Sequence, residues 1–157
     1  MMASEVLAEA RFPGTMHGAA DAATWLREVI GQEAFSSELA YALELCLEEL
    51  ATNVARHGRG GEEDSGAPAD PLTLVISLSA EDDSLELAIE DNARPFDVSR
   101  APGRKIRVPL EEVIPGGLGI QLVRSFSDAL LYEPTETGNR VIVKFLRQPE
   151  TPSKAAV

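Results

Sequence analysis

The sequence predicts a two-layer α/β (α+β) sandwich, with helices on one face of a mixed, mainly antiparallel sheet. Two observations carry that expectation. Leu72–Ala80 and Leu85–Asp91 alternate apolar and polar residues with period two, as the strands of a hairpin with one wet face do. Two earlier stretches, Ala19–Ala34 and Ser36–Gly58, repeat their apolar residues at helical spacing instead. A sheet with one apolar face and helices with one apolar stripe bury both by stacking as layers.

The elements follow in chain order. Glu5–Phe12 alternates loosely, stops at Pro13-Gly14 and is expected to be a short strand. The first helix carries Trp25, Leu26, Val29 and Ile30 on one side. Ser36 or Ser37 caps the second helix, and Glu38 sits in its first turn, where a negative charge is favourable. That helix ends at Gly58. The segment from Arg59 to Pro71 has no aliphatic side chain larger than Ala and is expected to be a mobile surface connector. Glu81–Ser84 turns the central hairpin. Asn92–Phe96 is irregular. Asp97–Pro115 is rich in Pro, Gly and charge, and too long for a plain connector, so a lid over a site is expected. Gly116–Gly119 opens a short helix packed through Ile120, Leu122, Val123 and Phe126. Ala129–Tyr132 and Asn139–Leu146 close the fold as two strands around a turn at Thr137-Gly138. Residues 1–147 are expected to be one domain and residues 148–157 a disordered tail.

Composition narrows the function. Apolar residues make up 44% of the chain, enough for a real core, and few of them are aromatic. A net charge of −12 argues against nucleic-acid and anionic-membrane partners, since phosphate contacts need clustered Lys and Arg. Proteins and small ligands are the expected partners. No signal peptide and no apolar run of spanning length is seen, so a cytoplasmic protein is expected. Cys46, the only cysteine, lies on an apolar stripe and reads as a small buried hydrophobe.

The second helix carries the most informative pattern. With Leu39 at zero and 100° per residue, Leu43, Cys46, Leu50 and Val54 fall within roughly 60° of it. Asn53 then lies at about −40° and Glu49 at about −80°, one turn apart on the rim of that stripe. Glu48 falls near 180° and faces water. A carboxylate and a carboxamide stacked on a core edge suit a site that holds a hard cation and positions a nucleophile. In the hairpin, Leu85, Leu87, Ile89 and Asp91 share a face, so Asp91 points toward the core at its strand end. A buried carboxylate needs a partner, whether protein, water or ligand. Glycines ahead of a helix let backbone N–H groups approach a phosphate. No Walker A loop, dinucleotide fingerprint, thiolate metal motif or Ser/His/Asp signature is present, and His17 and His57 form no cluster.

In order and spacing these pieces resemble the GHKL superfamily of ATPases. Within it, the chain is most similar to the anti-sigma-factor serine kinases of bacterial partner-switching systems. LCLEELATNVARHG (Leu45–Gly58) resembles that family's N box, IEDNARPFD (Ile89–Asp97) its first glycine box, and Gly116–Phe145 its second glycine box and final hairpin. The resemblance implies a Bergerat-type ATP-binding fold, with ATP and Mg²⁺ as cofactors. It implies that Asn53 coordinates Mg²⁺ and that Glu49 is the general base for a serine or threonine hydroxyl. Asp91 would accept from the adenine amino group, Gly117, Leu118 and Gly119 would line the triphosphate, and His57, with Arg56, would approach the phosphates. Ala93 stands where the first glycine box usually carries Gly, and its methyl group is expected to crowd the adenine pocket and weaken nucleotide binding. The implied partners are an antagonist protein that accepts the phosphate and a sigma factor or other effector, with a homodimer also suggested. Two other readings stay open: a nucleotide-regulated binding module without kinase activity, in which Asn53 and Asp91 matter and Glu49 does not, and a structural α/β domain whose boxes match by chance.

Overall fold

The computed structural model describes residues 4–58, 71–96 and 117–147, with residues 117 and 118 described by their backbone alone. β1 (Glu5–Pro13) leads into α1 (Met16–Gly31) through Thr15, whose side chain accepts a hydrogen bond from the Gly18 N–H at 3.0 Å. That cap satisfies one of the unpaired donors of the first turn. The helix starts three residues before the expected Ala19, directly after the Thr15 cap. α2 (Ser37–His57) begins at Ser36, which accepts from the Leu39 N–H at 3.1 Å, and stops at Gly58. Both caps match the expectation, as does Glu38 in the first turn.

β2 (Thr73–Ala80) and β3 (Ser84–Asp91) form the expected hairpin; α3 (Gly117–Phe126) precedes β4 (Ala129–Pro134) and β5 (Asn139–Leu146). The five strands form one sheet in the order β1-β2-β3-β5-β4. Every pairing among the described strands is antiparallel. β3 occupies the centre, and register places Leu74 opposite Asp91, Ile76 opposite Ile89 and Leu78 opposite Leu87. Across the other side of β3, Leu85 faces Phe145, Leu87 faces Val143 and Asp91 faces Asn139.

These positions share one face of the sheet, and the apolar ones form a single cluster with Leu26, Leu43, Cys46, Leu47 and Leu50 from the helices. Leu26, Leu43, Leu47, Leu74, Ile76 and Leu87 are wholly buried, and each such side chain is worth about 1.5–3 kcal/mol relative to exposure. α2 packs between α1 and α3. Its buried face is accordingly wider than the predicted stripe, taking in Ala42, Leu47 and Ala51 as well as Leu43, Cys46 and Leu50. The opposite sheet face carries cross-strand ion pairs, Arg140 with Glu90 at 2.9 Å and Lys144 with Glu86 at 3.2 Å. Phe126 departs from expectation. It is 41% exposed and stacks edge-on against Tyr41 at 5.7 Å rather than entering the core. The connector after α2, the expected lid and the expected C-terminal tail lie outside the described residues, save for Pro71.

Candidate nucleotide site

Glu49 and Asn53 lie one turn apart on α2, both half-buried, while Glu48 is exposed. Leu43, Cys46 and Leu50 point into the core and so fix the rotation of α2, which leaves the pair at the edge facing α3. Gly119, in the first turn of α3, is the close neighbour. A Cβ added there would sit 2.6 Å from Oε2 of Glu49, so only a glycine backbone leaves the carboxylate its place. Glu49, Thr52, Asn53, Arg56, Gly119 and Ile120 line one cleft. Burial pushes the Glu49 carboxyl above the usual carboxylate range, the charge of Glu48 adds to this, and the Arg56 guanidinium opposes it. A carboxylate raised in this way is a better proton acceptor than an exposed one. Burial, followed by the charge of Glu49, likewise raises the Cys46 thiol to about 12, which leaves it an inert core residue.

A second pocket adjoins the first and shares Asn53 with it. Leu50, Val54, His57, Ile89, Ala93 and Val141 are among its lining, with Asp91 and Asn139 supplying polarity. Asp91 is 8% exposed, and its core-facing position came from strand register alone. Its Oδ1 accepts from the Ala93 N–H at 2.9 Å and from Nδ2 of Asn139 at 2.9 Å. Burial raises its carboxyl, and these two hydrogen bonds pull in the other direction. Among the described residues both hydrogen bonds fall on Oδ1, so Oδ2 has no partner among them. Ala93 is buried, and its Cβ lies 3.2 Å from where a Gly58 Cβ would be. A side chain at residue 58 would press on this methyl group and, more severely, on the Val54 carbonyl at 2.6 Å.

Each predicted side chain on a described element reaches one of the two pockets: Glu49 and Gly119 the first, Asp91, Ala93 and His57 the second, Asn53 both. Gly117 and Leu118 contribute backbone to the opening of α3. Asn139 and Tyr132 were missed by sequence reasoning. Asn139 is 4% exposed and joins Asp91 to the segment after β3. A signal existed: Asn139 starts the run Val141, Val143, Phe145 at core-facing parity, as Asp91 ends its own.

The pockets suit a nucleotide. One is apolar with a single carboxylate acceptor, as a base requires. The other offers a carboxamide oxygen and a carboxylate beside a helix N-terminus, as a phosphate-bound Mg²⁺ requires. No cluster of three or more His, Cys, Asp or Glu that could hold a metal ion exists among the described residues. The model of the histidine kinase-like ATPase domain family matches residues 12–145. The chain belongs to that family. The histidine kinase-like ATPase boxes read from Glu49, Asn53, Asp91 and Gly119 fall within the matched span. The chain is similar to a serine/threonine-protein kinase, BtrW of Bordetella bronchiseptica, at 27% identity over 133 residues, which cover 85% of this chain and 89% of that protein. It is also similar in fold to the crystal structure of the RsbU and RsbW domains of Rv1364c from Mycobacterium tuberculosis. That likeness has a TM-score of 0.58 at 12% identity over 90% of this chain; the chain spans 33% of the longer one. The GHKL resemblance thus extends over nearly the whole fold, and kinase-type ATPase chemistry is the family's. No helix among the described residues is long and apolar enough to cross a membrane.

Proposed function

We propose that this chain is an ATP-dependent serine/threonine protein kinase of a partner-switching system, acting in the cytoplasm. It would bind a sigma factor or other effector and phosphorylate a small antagonist protein. The observation that carries the reading is the Glu49 carboxylate, seated against the Gly119 backbone at the start of α3 and one turn from Asn53. Asp91 accepts the adenine amino group, and the apolar lining from Leu50, Val54, Ile89 and Val141 excludes water around the base. Asn53 would supply a hard oxygen ligand to Mg²⁺, and the ion would supply neutralisation of phosphate charge. Glu49 takes the proton of the antagonist's hydroxyl as that oxygen bonds to the γ-phosphorus; the bond to the β-γ bridging oxygen breaks, and ADP leaves. His57 is exposed and lines the base pocket, and would approach the nucleotide from that side.

Replacing Glu49 with Ala tests this directly. Labelled ATP, the variant and a candidate antagonist are incubated together, and nucleotide binding is measured separately. Transfer is expected to fall by roughly two to four orders of magnitude, the usual contribution of a general base, with ATP binding retained. Transfer at the wild-type rate would leave Glu49 without that role. Wild-type protein that binds ATP but transfers nothing would favour the binding-module reading.

A further inference from the structure

The side chain of Asn139 has its donors and its acceptor all engaged. Its Oδ1 accepts from the Tyr132 hydroxyl at 2.6 Å and from the Phe96 N–H at 2.9 Å. Its Nδ2 donates to Oδ1 of Asp91 at 2.9 Å and to the Arg94 carbonyl at 3.0 Å. Only one orientation of the amide satisfies this set. Turned over, its oxygen would meet a carboxylate and a carbonyl, and its NH₂ would meet the Phe96 N–H. With the amide so oriented, the Tyr132 hydroxyl donates to its oxygen. β5 places Asn139 directly opposite Asp91, so the amide reaches the carboxylate without bending either strand. With Ala93 and Asn139 both donating to Oδ1, the carboxylate is held by that oxygen, and Oδ2 is the oxygen that no described residue engages.

We propose that Tyr132 and Asn139 act as an orientation lock on Asp91, holding it as a hydrogen-bond acceptor and so making the base pocket select a purine with an exocyclic amino group over one with a carbonyl there. The inference rests on the nucleotide reading above and adds the residues that enforce its specificity. Neither Tyr132 nor its hydroxyl is among the described lining of the pocket, so Tyr132 is a positioning residue that works through Asn139. A donor-type base finds Oδ2 waiting. A carbonyl-bearing base meets a carboxylate that the lock prevents from turning or presenting a donor, and two acceptors are left facing each other.

The test uses the full chain and two probes, Mg²⁺-ATP and Mg²⁺-ITP, whose bases differ in carrying an amino group or a carbonyl at this position. Affinities are measured by calorimetry for wild type, Tyr132→Phe and Asn139→Asp. Wild type is expected to prefer ATP by about tenfold or more, as loss of one hydrogen bond to a charged group dictates. Tyr132→Phe should narrow that preference by roughly threefold to tenfold, the worth of one neutral hydrogen bond, and Asn139→Asp should narrow it further. Tyr132→Phe removes a single oxygen and keeps its ring, so it reports even if Asn139→Asp does not fold. A parallel fall in both affinities, or an unchanged ratio, overturns the lock and leaves the Asp91 assignment standing. A wild type that binds ATP and ITP equally overturns that assignment, and the lock with it.

Discussion

Asp91 is a residue whose fold and function oppose each other. Its folded carboxyl is raised above the ordinary Asp value, so folding disfavours its charge. The stability that follows is fully present below the unfolded Asp value and is lost as pH rises through the raised folded value. Asp91→Asn removes this pH dependence while its amide oxygen can still accept from Ala93 and Asn139. The variant is expected to melt higher than wild type at neutral pH, with the gap closing as the pH falls, and to lose ATP binding. Melting curves across pH, read beside ATP titrations, check both halves. Arg56 supplies a second residue-scale prediction. It opposes the rise in the Glu49 carboxyl, so Arg56→Gln lets that value climb further. The base must be ionised to take a proton, and the acid limb of the transfer rate should therefore move to higher pH. A limb at the wild-type pH would mean that Glu49 does not control it.

Between elements, the contact of α2 with α3 decides whether Glu49 stands where transfer needs it. Gly119→Ala puts a Cβ 2.6 Å from Oε2, the far end of a flexible side chain. The carboxylate swings aside at little cost, and Ala in place of Gly favours a helix by up to about 1 kcal/mol. The expected result is an unchanged or slightly raised melting temperature with transfer reduced by roughly tenfold to a hundredfold, the scale of a misplaced catalytic group. Single-turnover transfer and thermal melts on the same preparation separate the two effects. Retained transfer would show that the carboxylate's position against α3 does not matter.

At the scale of the whole molecule, the site depends on one shared core. Leu47 is wholly buried between the helices and the sheet, away from both pockets. Leu47→Ala is expected to cost about 2–5 kcal/mol of stability through lost burial and the cavity left behind. Nucleotide affinity per folded molecule should survive, because α2 still presents Asn53 and β3 still presents Asp91. Denaturant melts and ATP titration of the folded fraction measure each. An equal collapse of both would show that rotation of α2, and not only its presence, rests on that one side chain.

Period and parity made much of this legible from residues alone. The hairpin alternation put Asp91 on the core side, and the helical wheel separated Glu49 from Glu48, because both follow from repeat geometry within a single element. The serine cap and the glycine stop of α2 were readable for the same local reason. What lay between elements was not. The sheet order, which sets β5 beside β3 and so Asn139 against Asp91, joins residues 48 positions apart. The closeness of Gly119 to Glu49, the exposure of Phe126 and the sharing of Asn53 between two pockets arise from helix packing, which the sequence encodes only through many weak contacts acting together. The sequence by itself determined which side chains of α2 and of the central hairpin face inward and which family the boxes resemble. Only the tertiary structure decided which of those side chains meet, because hydrogen bonds and close approaches depend on distances across the chain that no local period specifies.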